Sequence, residues 1–349
     1  MARLDVSGEE NLDYYFTRWT EILSNLGEEY SEQERFFRQN YNAFRKSLNA
    51  PFVKGDRQYP LGTIATRSTM LDIYEKLITR DPVGALDELS ENAAIYAGII
   101  LNKTDGLTPA QRDSYQDLQR VQGAPSYLLL MYLIKNSDAL GIGVDDIVKV
   151  CKLLVNFFVR RNLTDTPPTR DLVRMFMSYI EEIEQNGYAG TVIYDNLRST
   201  LIKSSSSDEI FEEKLRGPVY DDNSGATRFI LCMMAKRSMT VENEKDLWRK
   251  TNSNQYVWSI EHIFPQGSNI PDEWVDMIAG GDREKAKEYQ SLYVHTFGNL
   301  TITGYNSTLS NKAFAEKKER KDSNGQYIGY RNGLNLNDDV CDKDELTID

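Results

Sequence analysis

Apolar residues recur at three- and four-residue steps through most of the first 240 positions, a spacing that predicts a helical body. Leu12, Tyr15, Phe16, Trp19 and Leu23 form the first such face, over 11–25. Ser31-x-x-Glu34 has the form of a capping box and opens a second helix through Phe36, Phe37, Tyr41 and Phe44. A basic, turn-rich stretch follows at 54–62. The helical pattern resumes over 68–79, 83–101, 108–121 and 125–135, and Thr108-Pro109 supplies a capping residue and a proline at the first helical position. Longer amphipathic segments at 144–158 and 169–184 are parted by a breaker at 166–168. Shorter helices are expected at 194–201 and 208–215, and an apolar one at 226–237. The aromatic stripes read as core, because apolar helical faces pack inward. Nothing in this half has the spacing of a catalytic site, so it serves to bind, support or regulate.

The texture changes after about residue 241. Residues 256–264 alternate and are rich in aromatic and β-branched types, which suits a strand. Pro265, Gly267 and Pro271 mark a loop, and a short helix is expected near 282–289. Residues 293–297 and 299–303 flank Gly298 as a second strand or hairpin arm, and 307–320 are helical again. Trp258 and Trp274 read as core. The predicted fold class is mainly α: a helical domain over 1–240, then a small α+β module over 241–349.

Composition narrows the function classes. No apolar run is long enough for a membrane span, and no secretory pattern stands at the start. Cys151, Cys232 and Cys341 are odd in number and far apart, which suits free thiols in a cytoplasmic protein. Forty-one basic against 53 acidic residues give a net charge of −12, which taken whole opposes a nucleic-acid partner. The charge is uneven, however. Lys312, Lys317, Lys318, Arg320 and Lys321 face only Glu316 and Glu319 within 311–321, whereas 338–349 is acidic.

The two histidines of the chain, His262 and His295, both fall in the C-terminal module. Phosphodiester hydrolysis needs a base for water and a cation to offset charge on the phosphate and leaving oxygen. Histidine suits the first role, and a carboxylate with an amide oxygen suits a hard Mg²⁺ or Mn²⁺. Glu261 beside His262 offers both chemistries. Neighbours on a regular strand face opposite ways, so the strand must end or twist there for both to serve one site. Pro265 is consistent with such an ending. His295 reads as a packing or hydrogen-bonding residue near the hairpin.

Glu261-His262-Ile263-Phe264-Pro265, then His295-Thr296-Phe297-Gly298-Asn299-Leu300-Thr301, then Tyr305-Asn306-Ser307-Thr308-Leu309-Ser310-Asn311-Lys312 with Phe314 and Lys317, stand in order. This series resembles the nuclease module of GmrSD-type modification-dependent (type IV) restriction endonucleases, a ββα-metal or HNH nuclease related to phosphorothioate-dependent Ssp-type nickases. The close resemblance covers about 256–331, and the helical half resembles the family's middle region more loosely. It implies His262 as general base and Asn299 as the residue that fixes the loop and orients the histidine. It implies Glu261 as a metal ligand, with Asn306 the first choice for the next ligand and Asn311 the competitor. Lys312, Lys317 and Lys318 are then expected on phosphates. The implied activity is metal-dependent cleavage of DNA, foreign or modified phage DNA, in an antiviral restriction system. Family members begin with an NTPase-like sensor carrying a D-G-Q-Q-R segment, which this sequence lacks. The expectation is therefore a C-terminal fragment or a separate sensor subunit. A binding or regulatory subunit, or an RNA-cutting toxin, are the rival readings.

Overall fold

The computed structural model describes residues 9–50, 64–101, 105–304 and 309–348. The chain is mainly helical and carries a two-stranded sheet near its C-terminal end. It divides into two compact units, Met1–Phe158 with Pro167–Ser205, and Val159–Thr166 with Ser206–Asp349. The division differs from the 240/241 boundary expected from composition. Helices α11 (Asp208–Arg216) and α12 (Val219–Arg237) belong with the sheet, because Leu231, Cys232 and Ala235 pack in one core with Leu300 and Ile302.

In the first unit, helix α6 (Tyr127–Lys135) is apolar all round, and Leu128, Leu129, Leu130, Met131 and Leu133 have no exposed surface. A helix of that kind needs partners on every side. It receives them from α2 (Tyr30–Asn49), α4 (Pro82–Ile100) and α9 (Thr169–Asn186). Helix α5 (Pro109–Arg120) opens on a complete capping box: the Thr108 hydroxyl accepts from Gln111 N, and Thr108 N donates to Gln111 Oε1. The Ser31 box does not form. Helix α2 begins at Tyr30, so Ser31 is already inside it, and the Glu34 carboxylate pairs with Arg38 and Arg67. Buried amides link three helices: Asn92 donates to Asn40 Oδ1 at 2.6 Å, and Asn40 donates to the Tyr74 hydroxyl at 3.0 Å.

In the second unit, strand β1 (Ser259–His262) pairs antiparallel with β2 (Leu300–Thr303), with Glu261 opposite Thr301 and His262 opposite Leu300. Both strands are shorter than the sequence predicts. The arm expected at 293–297 is absent, because α14 (Arg283–Tyr293) runs through Tyr293 and a 3-10 turn, Phe297–Asn299, delivers the chain directly to β2. A second core gathers Ile263, Phe264, Trp274, Leu309, Phe314 and Tyr330. The helix expected at 307–320 is interrupted: residues 310–313 are turn and irregular chain, with Ser310 at φ 42°, and a short helix, α15 (Phe314–Glu319), follows. The strand pair thus lies between two apolar clusters, with Glu261 and His262 at the end of β1.

Candidate active site

Asn299 terminates β1. Its side chain accepts from Phe264 N at 2.7 Å and donates to Phe264 O at 3.0 Å and Val294 O at 2.9 Å. Its backbone carbonyl accepts from Ile263 N at 2.9 Å. One buried amide therefore ties the segment just after His262 to the residue just before His295. Pro265, which has no N–H, then turns the chain away from the ladder.

Strand alternation sends the two neighbouring side chains to different partners. His262, 6% exposed, meets the edge of the Tyr220 ring at 4.8 Å between centroids. Its Nε2 lies 3.1 Å from His295 Nδ1. Burial is the main cause that pushes the His262 pKa down, to about 4, with His295 and Lys317 adding to it. The ring is neutral at pH 7 and keeps one proton-accepting nitrogen.

Glu261, 2% exposed, accepts from Lys317 Nζ at 2.7 Å through Oε1. The same ammonium donates to His262 O at 2.9 Å and Ile263 O at 3.1 Å, which engages all three of its hydrogens. Burial raises the Glu261 pKa and lowers that of Lys317, and each partner opposes the shift of the other.

Glu261 and His262 nevertheless share a wall. They line a cavity of about 850 Å³ together with Asn311, Gln266, Asn254 and Tyr256. Apart from Glu261 the described lining is amide, hydroxyl, aromatic and aliphatic, with no lysine or arginine. Asn254 and Ser310 on this wall have φ of 62° and 42°, a left-handed conformation uncommon outside glycine. Gly267 leaves room for the Asn311 amide, which an added Cβ would approach to 2.7 Å.

The described residues contain no group of three His, Cys, Asp or Glu able to hold a metal. The donor set still fits a hard divalent ion, which keeps several waters and needs few protein oxygens. Glu261 Oε2 has no protein partner among the described residues, and Asn311 adds an amide to the same wall.

His262, Glu261 and Asn311 are thus brought together, and Asn299 braces the loop beneath them. Asn306 lies outside the described residues. Two of the expected phosphate contacts require correction. Lys317 has no exposed surface, and Lys318, 8% exposed, donates to Lys343 O at 2.7 Å, so neither ammonium faces solvent for a phosphate. Both fall on the face of α15 that carries Phe314 inward. Lys312 is half-buried and pairs with Glu316 at 3.0 Å. Sequence reasoning missed the partners of His262, His295 and Tyr220, and Asp221 at 3.6 Å from His295 Nε2. His295 carried one signal, as the second of two histidines, both in the module. Tyr220 and Asp221 carried none.

No helix among the described residues is long and apolar enough to cross a membrane. No curated protein and no solved structure matches the chain. Residues 205–349 match the family described as GmrSD restriction endonucleases, C-terminal domain, a span that begins one residue before the second unit's main segment.

Proposed function

We propose that the second unit is a metal-dependent DNA endonuclease of the HNH type in which His262 is the general base. One observation carries this reading. A buried, neutral histidine stands at a braced strand end, on one cavity wall with Glu261 and Asn311, inside the stretch matched by a restriction-endonuclease family. His262 takes a proton from water, and the resulting hydroxide attacks phosphorus as the 3′ oxygen leaves. Glu261 and Asn311 would hold Mg²⁺ or Mn²⁺, with Asn306 as the further donor that the sequence suggests. When bound, the ion offsets charge on the phosphate and the departing oxygen. One site of this kind cuts one strand per event, so a nick is the expected product unless two copies meet. The substrate is foreign or modified phage DNA in a cytoplasmic restriction system, with recognition supplied by an NTPase-like sensor domain or subunit.

A second reading is a binding or regulatory subunit. The net charge of −12 and the absence of cationic side chains from the described cavity lining favour it. Supercoiled plasmid incubated with Mg²⁺ or Mn²⁺, beside His262→Ala and an EDTA control, decides between them. Metal-dependent nicking that the variant loses supports the nuclease. A folded protein that nicks nothing, even with modified DNA and a sensor subunit added, favours the second reading. Cleavage of RNA alone makes the module a ribonuclease.

A further inference from the structure

We infer that His295, set by Asp221, fixes the tautomer of His262 so that Nδ1 is the nitrogen that accepts the proton of water. The consequence for catalysis rests on the nuclease reading; the tautomer itself does not.

His262 Nε2 and His295 Nδ1 are 3.1 Å apart, so one proton lies between them and two arrangements exist. In the first, His262 Nε2–H donates to a bare His295 Nδ1. His295 then carries its own proton on Nε2, which lies 3.6 Å from Asp221 Oδ1. In the second, His295 Nδ1–H donates to His262 Nε2, and His262 bears its proton on Nδ1. That arrangement leaves His262 without an open lone pair and turns the bare Nε2 of His295 toward a carboxylate. The Asp221 charge selects the first. In the first arrangement His262 Nδ1 is bare, on a ring that lines the cavity and whose side-chain hydrogen bond among the described residues is the one through Nε2.

The ring of His295 is held in register by its surroundings. It stacks on Tyr220 at 5.4 Å and 13°, and Tyr220 N donates to His295 O at 3.2 Å. Rotation of the imidazole about its Cβ–Cγ bond, which would put a carbon in the place of each nitrogen, has to break that stack on the way.

The proton count closes. Water gives one proton to Nδ1, the O–P bond forms, and the P–O3′ bond breaks with its electron pair leaving on oxygen, which solvent protonates. His262 becomes an imidazolium whose Nε2–H bond to His295 turns charge-assisted and strengthens. His295 and Asp221 touch no substrate, so both are positioning residues.

The full chain labelled with ¹⁵N in its two histidines gives the test, because long-range ¹H–¹⁵N correlation assigns each ring proton at neutral pH. The expected spectrum has His262 protonated on Nε2 with a slowly exchanging, downfield resonance. His295→Phe keeps the stack on Tyr220 and removes the acceptor. It should abolish that resonance and lower kcat for nicking about 10²-fold with little change in DNA affinity. His295→Asn returns an acceptor oxygen near the place of Nδ1 and should recover both within about tenfold. Asp221→Asn should cost about 2- to 5-fold, because Asp221 is largely exposed. A proton found on His262 Nδ1 overturns the inference, as does a folded His295→Phe that nicks at the wild-type rate. If no form of the protein cuts DNA, the nuclease reading fails and the spectrum alone decides the tautomer.

Discussion

The two units bury polar groups in opposite ways. In the first, the buried network of Asn40, Asn92 and Tyr74 is neutral, and the buried Glu34 carboxylate pairs with Arg38 and Arg67, which reach solvent, as does the Lys76–Asp72 pair. One of its cavities, about 540 Å³, has a mainly apolar lining that includes Trp19, Phe37, Leu86 and Leu89. In the second, a carboxylate, an imidazole and an ammonium are buried within a few residues of one strand end. Taking an ion out of water costs several kcal/mol, and a hydrophobic replacement is often as stable. Neutral amides meet the need for specific packing in the first unit. The concentration of buried ionisable groups in the second marks where the molecule carries a chemical demand beyond packing.

Four measurements sharpen that contrast, and each can break it. The largest effect should come from Lys317→Met, which strands the Glu261 carboxylate and should cost about 3–5 kcal/mol in urea unfolding. Adding Glu261→Gln should restore most of that loss. A Lys317→Met protein of wild-type stability would show that the pair is not a buried ionic tie.

Acidification should come next. The folded pKa of His262, about 4, lies below its ordinary 6.5, so the unfolded chain binds the extra proton first. This contribution to stability is present above about pH 6.5 and is lost as pH falls toward 4, up to about 3 kcal/mol in all. Glu261 is shifted upward and has the opposite sign, stabilising at low pH and losing that contribution as pH rises. The comparison should therefore be wild type against His262→Gln, whose difference in Tm isolates the imidazole. Wild type should lose ground to the variant as pH falls, and a difference independent of pH would sink the assignment.

Asn299→Ala and Asn92→Ala each delete a buried amide, at about 1–3 kcal/mol apiece. Nicking by the folded fraction should drop in the first and stay unchanged in the second. Equal loss of nicking would remove the distinction between a brace at the site and a packing amide. Asp72→Asn should be the smallest, under about 0.5 kcal/mol, because its pair with Lys76 is exposed.

Much of the helical body was legible because its apolar faces keep helical spacing, and Thr108-Pro109 marked the start of α5 outright. The Ser31 box misled because a capping motif is local, whereas the helix start at Tyr30 is settled by what packs around it. Glu261, His262 and Asn299 were singled out by the family resemblance, and the structure sets all three at one strand end. Lys317 was not legible as a partner of Glu261. It lies three residues after Phe314 and so shares its inward face, but nothing in the residue type announces a carboxylate 56 positions away. Tyr220 reaches His262, and Asp221 reaches His295, only through packing of α12 in the same unit, which one-dimensional spacing does not encode.

The fully engaged amine of Lys317 also has a practical consequence. Acylating reagents attack free amines in water, and this one is sealed while α15 rests on β1. Lys321, four residues on, is exposed and labels in the closed protein. The ratio of the two labelling rates, read by mass spectrometry, is a clock for local opening of the site. It runs without substrate, metal or DNA, and it would report whether a bound partner tightens the module or loosens it.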